Sequence, residues 1–99
     1  MKIVAVTACP TGIAHTYMAA ERLERAGKKL GHAMKVETQG AMGIENALAA
    51  ADVAAADAVL LAAGIAIRGR ERFEGKRVVE VTVQEAIRNA EGVLAALAG

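Results

Sequence analysis

Two hydrophobic rhythms alternate along the chain. Residues 2–7 (KIVAVT) form a short β-branched run closed by Pro10 and Gly12, the pattern of a buried strand. Over residues 14–30 the period changes. Ala19, Leu23, Ala26 and Leu30 recur at helical spacing and predict an apolar stripe, with Glu21–Arg25 and Glu24–Lys28 as i,i+4 pairs on the wet side. Gly31 then stands where a helix ends in a left-handed residue. Residues 34–39 (MKVETQ) alternate and predict a second strand, followed by a loop and a short helix from about Ile44, with a further turn that Asp52 caps. Residues 57–63 (DAVLLAA) predict a third buried strand, residues 64–76 a long loop, and residues 77–81 (RVVEV) a fourth strand. Thr82 and Glu85 stand as N-cap and N3 of a last helix, whose Val83, Ile87, Ala90, Leu94 and Leu97 share one face.

Short apolar strands alternating with helices predict an α/β fold: a four-stranded parallel open sheet with helices on both faces, a Rossmann-like three-layer sandwich of strand order 2-1-3-4. Crossovers are expected to be right-handed. A chain of 99 residues is expected to make a single domain, residues 1–99. In such sheets ligands bind beyond the C-terminal strand ends, and Cys9 lies just past the end of the first strand.

Composition narrows the function classes. The net charge is +1, which supplies no field for DNA, RNA or an anionic membrane. No nucleic-acid partner and no direct membrane insertion are expected, because the N-terminal apolar run is too short for a signal peptide or a span. There is 1 cysteine, so no internal disulfide forms, which fits a reducing cytosol. No cluster has metal-ligand spacing and no GxGxxG or GxxxxGK[ST] run occurs, so neither a metal nor a cofactor is expected.

The chemistry concentrates in ACPTGIAHT, residues 8–16, which holds the only cysteine and the only proline. Pro10 and Gly12 shape a tight turn, and Ile13 and Ala14 enter the helix with their N–H groups unpaired. A turn of such donors binds anions. It would stabilise a Cys9 thiolate, which is only about 3% of an ordinary thiol at pH 7. It would also grip phosphoryl oxygens on the sulfur. Buried as a small hydrophobe, Cys9 would need none of this. His15 is either a hydrogen-bond donor to phosphate or a solvated helix-start residue; Thr11 and Thr16 are either phosphate binders or local backbone binders.

Cys9-x5-His15-Thr16 also has the spacing of a tyrosine-phosphatase loop, with His in place of Arg, so a low-molecular-weight tyrosine-phosphatase-like cysteine phosphatase is the alternative. That chemistry needs a placed acid. Asp57 is expected at the opposite sheet edge from Cys9, Asp52 is also distant, and only Glu71 and Glu74 lie in the loop after the third strand.

ACPTGIAHTYMAAE, VETQGAMGIEN, AADVAAADAVLLAA and RFEGKRVVEVTVQEA together resemble the fructose-type IIB domain of the bacterial phosphoenolpyruvate-dependent sugar phosphotransferase system. The likeness covers nearly the whole chain, with CPTGIAHT and VETQG its specific motifs. The resemblance implies an enzyme, a phosphotransferase, in which Cys9 is the phosphocysteine nucleophile assisted by His15. Residues Pro10, Thr11, Gly12, Ile13, Ala14 and Thr16 would form its phosphate-binding loop, and Gln39, Gly40 and Arg68 would border the site. It implies a phosphorylated IIA protein or domain as donor and a sugar, fructose most commonly, held by a membrane IIC domain as acceptor. A cytoplasmic location, associated with the inner membrane through IIC, follows from the same likeness. One departure stands out: Gly64 and Arg68 occupy positions where acids are frequent in that family. Arg68, Arg70 and Arg72 are read either as a docking patch or as a solvated loop.

Overall fold

The computed structural model describes residues 1–9, 13–41 and 43–98. In chain order its elements are β1 (Lys2–Ala8), α1 (Ile13–Lys29), β2 (Ala33–Gly40), β3 (Gly43–Glu45), α2 (Ala50–Ala55), β4 (Ala58–Ala63), a 3-10 turn (Arg70–Phe73), β5 (Val78–Val81), α3 (Val83–Arg88) and α4 (Ala90–Ala98).

The strands form one sheet in the order β3-β2-β1-β4-β5. β1 pairs in parallel with β2 on one side and β4 on the other, and β4 pairs in parallel with β5. The four expected parallel strands therefore stand in the expected order. Alternate residues of β1 serve opposite layers. Ile3 and Ala5 pack with Leu23, Ala86 and Leu94 under α1, α3 and α4. Val4 and Val6 pack with Val53 of α2 and Phe73 of the 3-10 turn on the other face.

Three expectations are corrected. No helix starts near Ile44: Gly43–Glu45 is a fifth strand, antiparallel to β2. Gly43 opens this strand at φ +91°, and the chain leaves it at Asn46 with φ +53°. The helix begins instead at Ala50, where Asp52 is the N3 residue and accepts the Ala49 N–H at 3.0 Å. The last helix is interrupted at Asn89, whose side-chain oxygen accepts the Gly92 N–H at 3.3 Å. A side-chain acceptor of that kind competes with the helical ladder and starts a new helix rather than prolonging the old one. Thr82 caps α3 as expected, accepting the Glu85 N–H at 3.0 Å. Leu30 leaves the apolar stripe and is 39% exposed, because α1 ends one residue earlier.

The end of α1 is a Schellman motif. The His32 N–H donates to the Gly27 carbonyl at 2.8 Å and the Gly31 N–H to Lys28 at 3.2 Å, with Gly31 at φ +80°. Gly27 itself is required by close packing: a Cβ there would lie 2.1 Å from Cγ of Met34 on β2. Both chain ends are fastened at the N-terminal edge of the sheet. The Lys2 N–H donates to Asp57 Oδ2 at 2.8 Å, and Arg77, just before β5, donates to the Leu97 carbonyl at 2.6 Å. No helix among the described residues is long and apolar enough to cross a membrane.

Leu60 on β4 is fully buried between β1 and β5. Leu60→Ala is expected to lower unfolding stability by about 2–5 kcal/mol, read as a lower urea midpoint with little change in slope.

Candidate functional site

The topology brings three chain segments to one place. β1 stops at Ala8, so Cys9 emerges at the C-terminal edge of the sheet between the segments that follow β2 and β4. Together they enclose a cavity of about 390 Å³. Gly40, Ala41, Gly43 and Ile44 contribute one wall, Ile65, Ala66 and Arg68 the other, and Cys9 and Gln39 lie on its lining as well. Cys9 is in no disulfide and has 9% of its surface exposed; it packs against the α1-side core and reaches the cavity. Gly64, the first residue after β4, donates its N–H to the Ala8 carbonyl at 3.0 Å, which fixes the base of the second wall beside Cys9.

Of the residues expected at the site, Cys9, Gln39, Gly40 and Arg68 are brought together. Pro10, Thr11 and Gly12, the expected centre of the phosphate-binding turn, lie outside the described residues. Ile13 opens α1. Ala14 and His15 are exposed on the first turn of α1, and neither lines the cavity. Thr16 is 1% exposed; its carbonyl accepts the Thr7 hydroxyl at 3.1 Å, which ties the first turn of α1 to the end of β1. The first turn of α1 carries no acidic residue, whereas Lys28 and Lys29 lie in its last turn. The positive end of this 17-residue helix is thus not neutralised by its own side chains, while its negative end is.

Asp57 and Asp52 are both committed elsewhere. Asp57 holds the Lys2 amide at the far edge, and Asp52 pairs with Lys35 at 2.9 Å. Glu71 and Glu74 do not line the cavity, and among the described residues no carboxylate does.

The arginine cluster is corrected. Arg70 pairs with Glu80 at 2.7 Å, and Arg72 is drawn inward onto Glu37, so of the three only Arg68 faces the cavity. Glu37 is the residue that sequence reasoning missed. It is 1% exposed and accepts from Arg72 Nη1 at 2.8 Å, Arg72 Nη2 at 3.0 Å, Gln39 Nε2 at 2.7 Å and the Leu48 N–H at 2.9 Å. Burial pushes the Glu37 carboxyl up, but the hydrogen bonds from Arg72, Gln39 and Leu48, with the Arg72 charge, outweigh it and hold the carboxyl below its ordinary value. The Glu37 hydrogen bond correspondingly holds the Arg72 guanidinium above its ordinary value. Arg72 also lies 4.8 Å over the Phe73 ring. Gln39 is locked in turn: its Oε1 accepts the Arg68 N–H at 2.8 Å and its Nε2 donates to the Arg68 carbonyl at 2.9 Å. The sequence offered little signal for this: Glu37 and Gln39 are two of the four polar residues in the strand AMKVETQG.

Comparison with known proteins points throughout to IIB units of the phosphotransferase system, under descriptions that differ in the sugar. A family model described as "PTS system, Lactose/Cellobiose specific IIB subunit" matches residues 4–96. The PTS system fructose-like EIIB component 2 of Escherichia coli K12 is 55% identical over 93 residues, covering 94% of this chain and 88% of that protein. The fructose-like PTS system EIIBC component of the same strain is 50% identical over 99 residues, 98% of this chain but 20% of that longer protein. A crystal structure of a domain from the fructose-specific IIABC component of Borrelia burgdorferi superposes with a TM-score of 0.90 at 50% identity, covering 94% of this chain and 88% of that one.

The lowered Glu37 pKa fixes the sign of an acid effect. The pair contributes stability above the unfolded carboxylate value of about 4.3, and that contribution is lost as pH falls through the lower folded value. The urea midpoint is expected to drop more steeply between pH 5 and pH 3 in the wild type than in Glu37→Gln, and Glu37→Gln is expected to be the less stable protein at pH 7.

Proposed function

The chain belongs to the fructose-type IIB family of the sugar phosphotransferase system, and on that premise we propose that it is a phosphocarrier whose Cys9 takes and passes on a phosphoryl group. The observation that carries this reading is the position of the sole cysteine: just beyond the central strand, on the lining of a cavity at the C-terminal edge of the sheet, and 4 positions before the start of a long helix.

The chemistry runs in two displacements. In the first, the Cys9 thiolate attacks the phosphorus of a phosphohistidine on a IIA partner. The S–P bond forms as the N–P bond breaks, and the electron pair leaves with the imidazole. In the second, a hydroxyl oxygen of a sugar held by a IIC partner attacks the same phosphorus. The O–P bond forms, the S–P bond breaks, and the thiolate is regenerated while the hydroxyl proton passes to a base. The relatives' names, fructose-like and fructose-specific, support fructose or a related ketose as that sugar.

The residues of this chain serve both steps. The positive end of α1, without an acid in its first turn, favours the thiolate and later the phosphorylated sulfur. Arg68 lines the cavity, and its guanidinium is of a kind suited to phosphoryl oxygens. His15, on the first turn of α1, donates to the phosphoryl group when a partner closes over the site. The absence of a carboxylate from the described lining matters for the product. Without a placed acid or base, water is a poor acceptor, and the thiophosphate survives long enough for a sugar to take it.

The test is to incubate the protein with a phosphorylated IIA protein and weigh it. The wild type is expected to gain the mass of one phosphoryl group and Cys9→Ser none; a Ser variant labelled at the wild-type rate would sink the proposal. His15→Ala is expected to keep its circular dichroism spectrum and to accept the group roughly tenfold more slowly, the effect of losing one charge-assisted hydrogen bond.

A further inference from the structure

The two walls of the Cys9 cavity come from separate parts of the chain. The first wall follows β2 and includes the exposed strand β3, all of whose residues face solvent. The second wall follows β4 and precedes the 3-10 turn. Neither wall is built from buried apolar residues: Ala41, Gly43, Ile44, Ile65, Ala66 and Arg68 are all exposed. Ile67 packs against the core between Ala66 and Arg68, but the residues that line the cavity have no such anchor of their own, and polar bonds set where they stand.

Glu37 reaches both. Its Oε1 accepts the Leu48 N–H, which fastens the chain where it returns from β3 to the core, Leu48 itself being buried. The first wall is thus tied at both ends, by the β2–β3 ladder and by Glu37. Towards the second wall the connection runs through two side chains. Gln39, held by Glu37 Oε2, grips both the N–H and the carbonyl of Arg68. Arg72, held bidentately by Glu37, donates to the Gly69 carbonyl at 2.7 Å and to the Arg68 carbonyl at 3.2 Å. A carboxylate has about four acceptor positions, and here Glu37 receives four donors, two on each oxygen. No neutral side chain of the same shape can do this, because an amide would turn its NH2 towards two of those donors.

We propose that Glu37 is a positioning residue for phosphoryl transfer: one buried carboxylate that sets both walls of the Cys9 cavity and thereby the approach of the donor and acceptor to the sulfur. Glu37 does not touch the reacting atoms; it acts through Leu48 on one side and through Gln39 and Arg72 on the other. Its low-pKa state keeps the clamp charged across the physiological range. The kinetic part of this inference rests on the phosphocarrier reading above; the structural part does not.

Hydrogen exchange by NMR and transfer kinetics test it together. In Glu37→Ala the amides of Arg68 and Leu48 are expected to exchange at least about tenfold faster, with the Leu60 amide in β4 as internal standard. The maximal rate of transfer from a phosphorylated IIA protein is expected to fall about tenfold, with a smaller change in KM, because a misplaced reaction geometry acts on kcat. Leu94→Ala, a core truncation off the cavity lining and outside the Glu37 network, supplies a destabilised reference expected to keep both the wall protection and the rate. Arg72→Lys dissects the clamp and covers the case in which Glu37→Ala fails to fold: it is expected to speed exchange at Arg68, leave Leu48 protected and still lower kcat.

Wild-type protection at Arg68 and Leu48 in Glu37→Ala, or equal loosening of both in Arg72→Lys, would overturn the clamp. Loosened walls with an unchanged kcat, or an equal loss of rate in Leu94→Ala, would overturn the positioning role. A wild-type protein that takes no phosphoryl group at all would overturn the phosphocarrier reading instead, and the exchange rates would then decide the clamp alone.

Discussion

β1 is hydrogen-bonded in parallel along both of its edges and covered on both of its faces. A strand in that position has no freedom to slide, since a shift of one residue would turn its two apolar sets onto the wrong layers. The sulfur that follows it inherits this rigidity. Cys9 is one peptide unit beyond a strand fixed from four directions. The fold thus joins a rigid support to an open edge, which is how parallel sheets commonly carry their sites.

The apolar half of this architecture was legible in the sequence. KIVAVT and DAVLLAA hold the continuous apolar runs Ile3–Val6 and Ala58–Ala63, and only strands covered on both faces tolerate them. Gly31 and Thr82 announced helix boundaries by conformational freedom and by a side-chain acceptor, and both serve in those roles. Short polar segments were less legible. Gly43–Glu45 is too brief for a period to distinguish strand from helix, and its strand character comes from pairing with β2. Asn89 sat inside an apolar pattern that continues across it, so the interruption depends on one local hydrogen bond rather than on the stripe.

The site divides along the same line. Cys9 was legible because its place, after a strand and before a helix, is written in the order of the chain. Glu37 was not. In MKVETQ the alternation assigns Lys35, Glu37 and Gln39 to one face, which reads as the wet one. That face is covered by α2 and the 3-10 turn towards the C-terminal end of β2, so Lys35 stays exposed while Glu37 and Gln39 are buried. Burial of a carboxylate is tolerable only with a partner, and the partner is Arg72, 35 positions away. Such a pairing leaves no periodic trace. It also explains why three arginines in a glycine-bearing loop looked like one patch when each has a separate task.

The fastening of Lys2 and Leu97 has a consequence for assembly. Lys2 is held by Asp57 and Leu97 by Arg77, both at the strand beginnings, so the two ends of the folded unit emerge together at the edge opposite the cysteine. The 7 residues of β1, at about 3.3 Å each, put roughly 20 Å between that edge and the sulfur. Polypeptide spliced onto either end of such a module would lead away from the edge that carries Cys9. One shape is thus compatible both with a separate EIIB component and with longer EIIBC or IIABC chains.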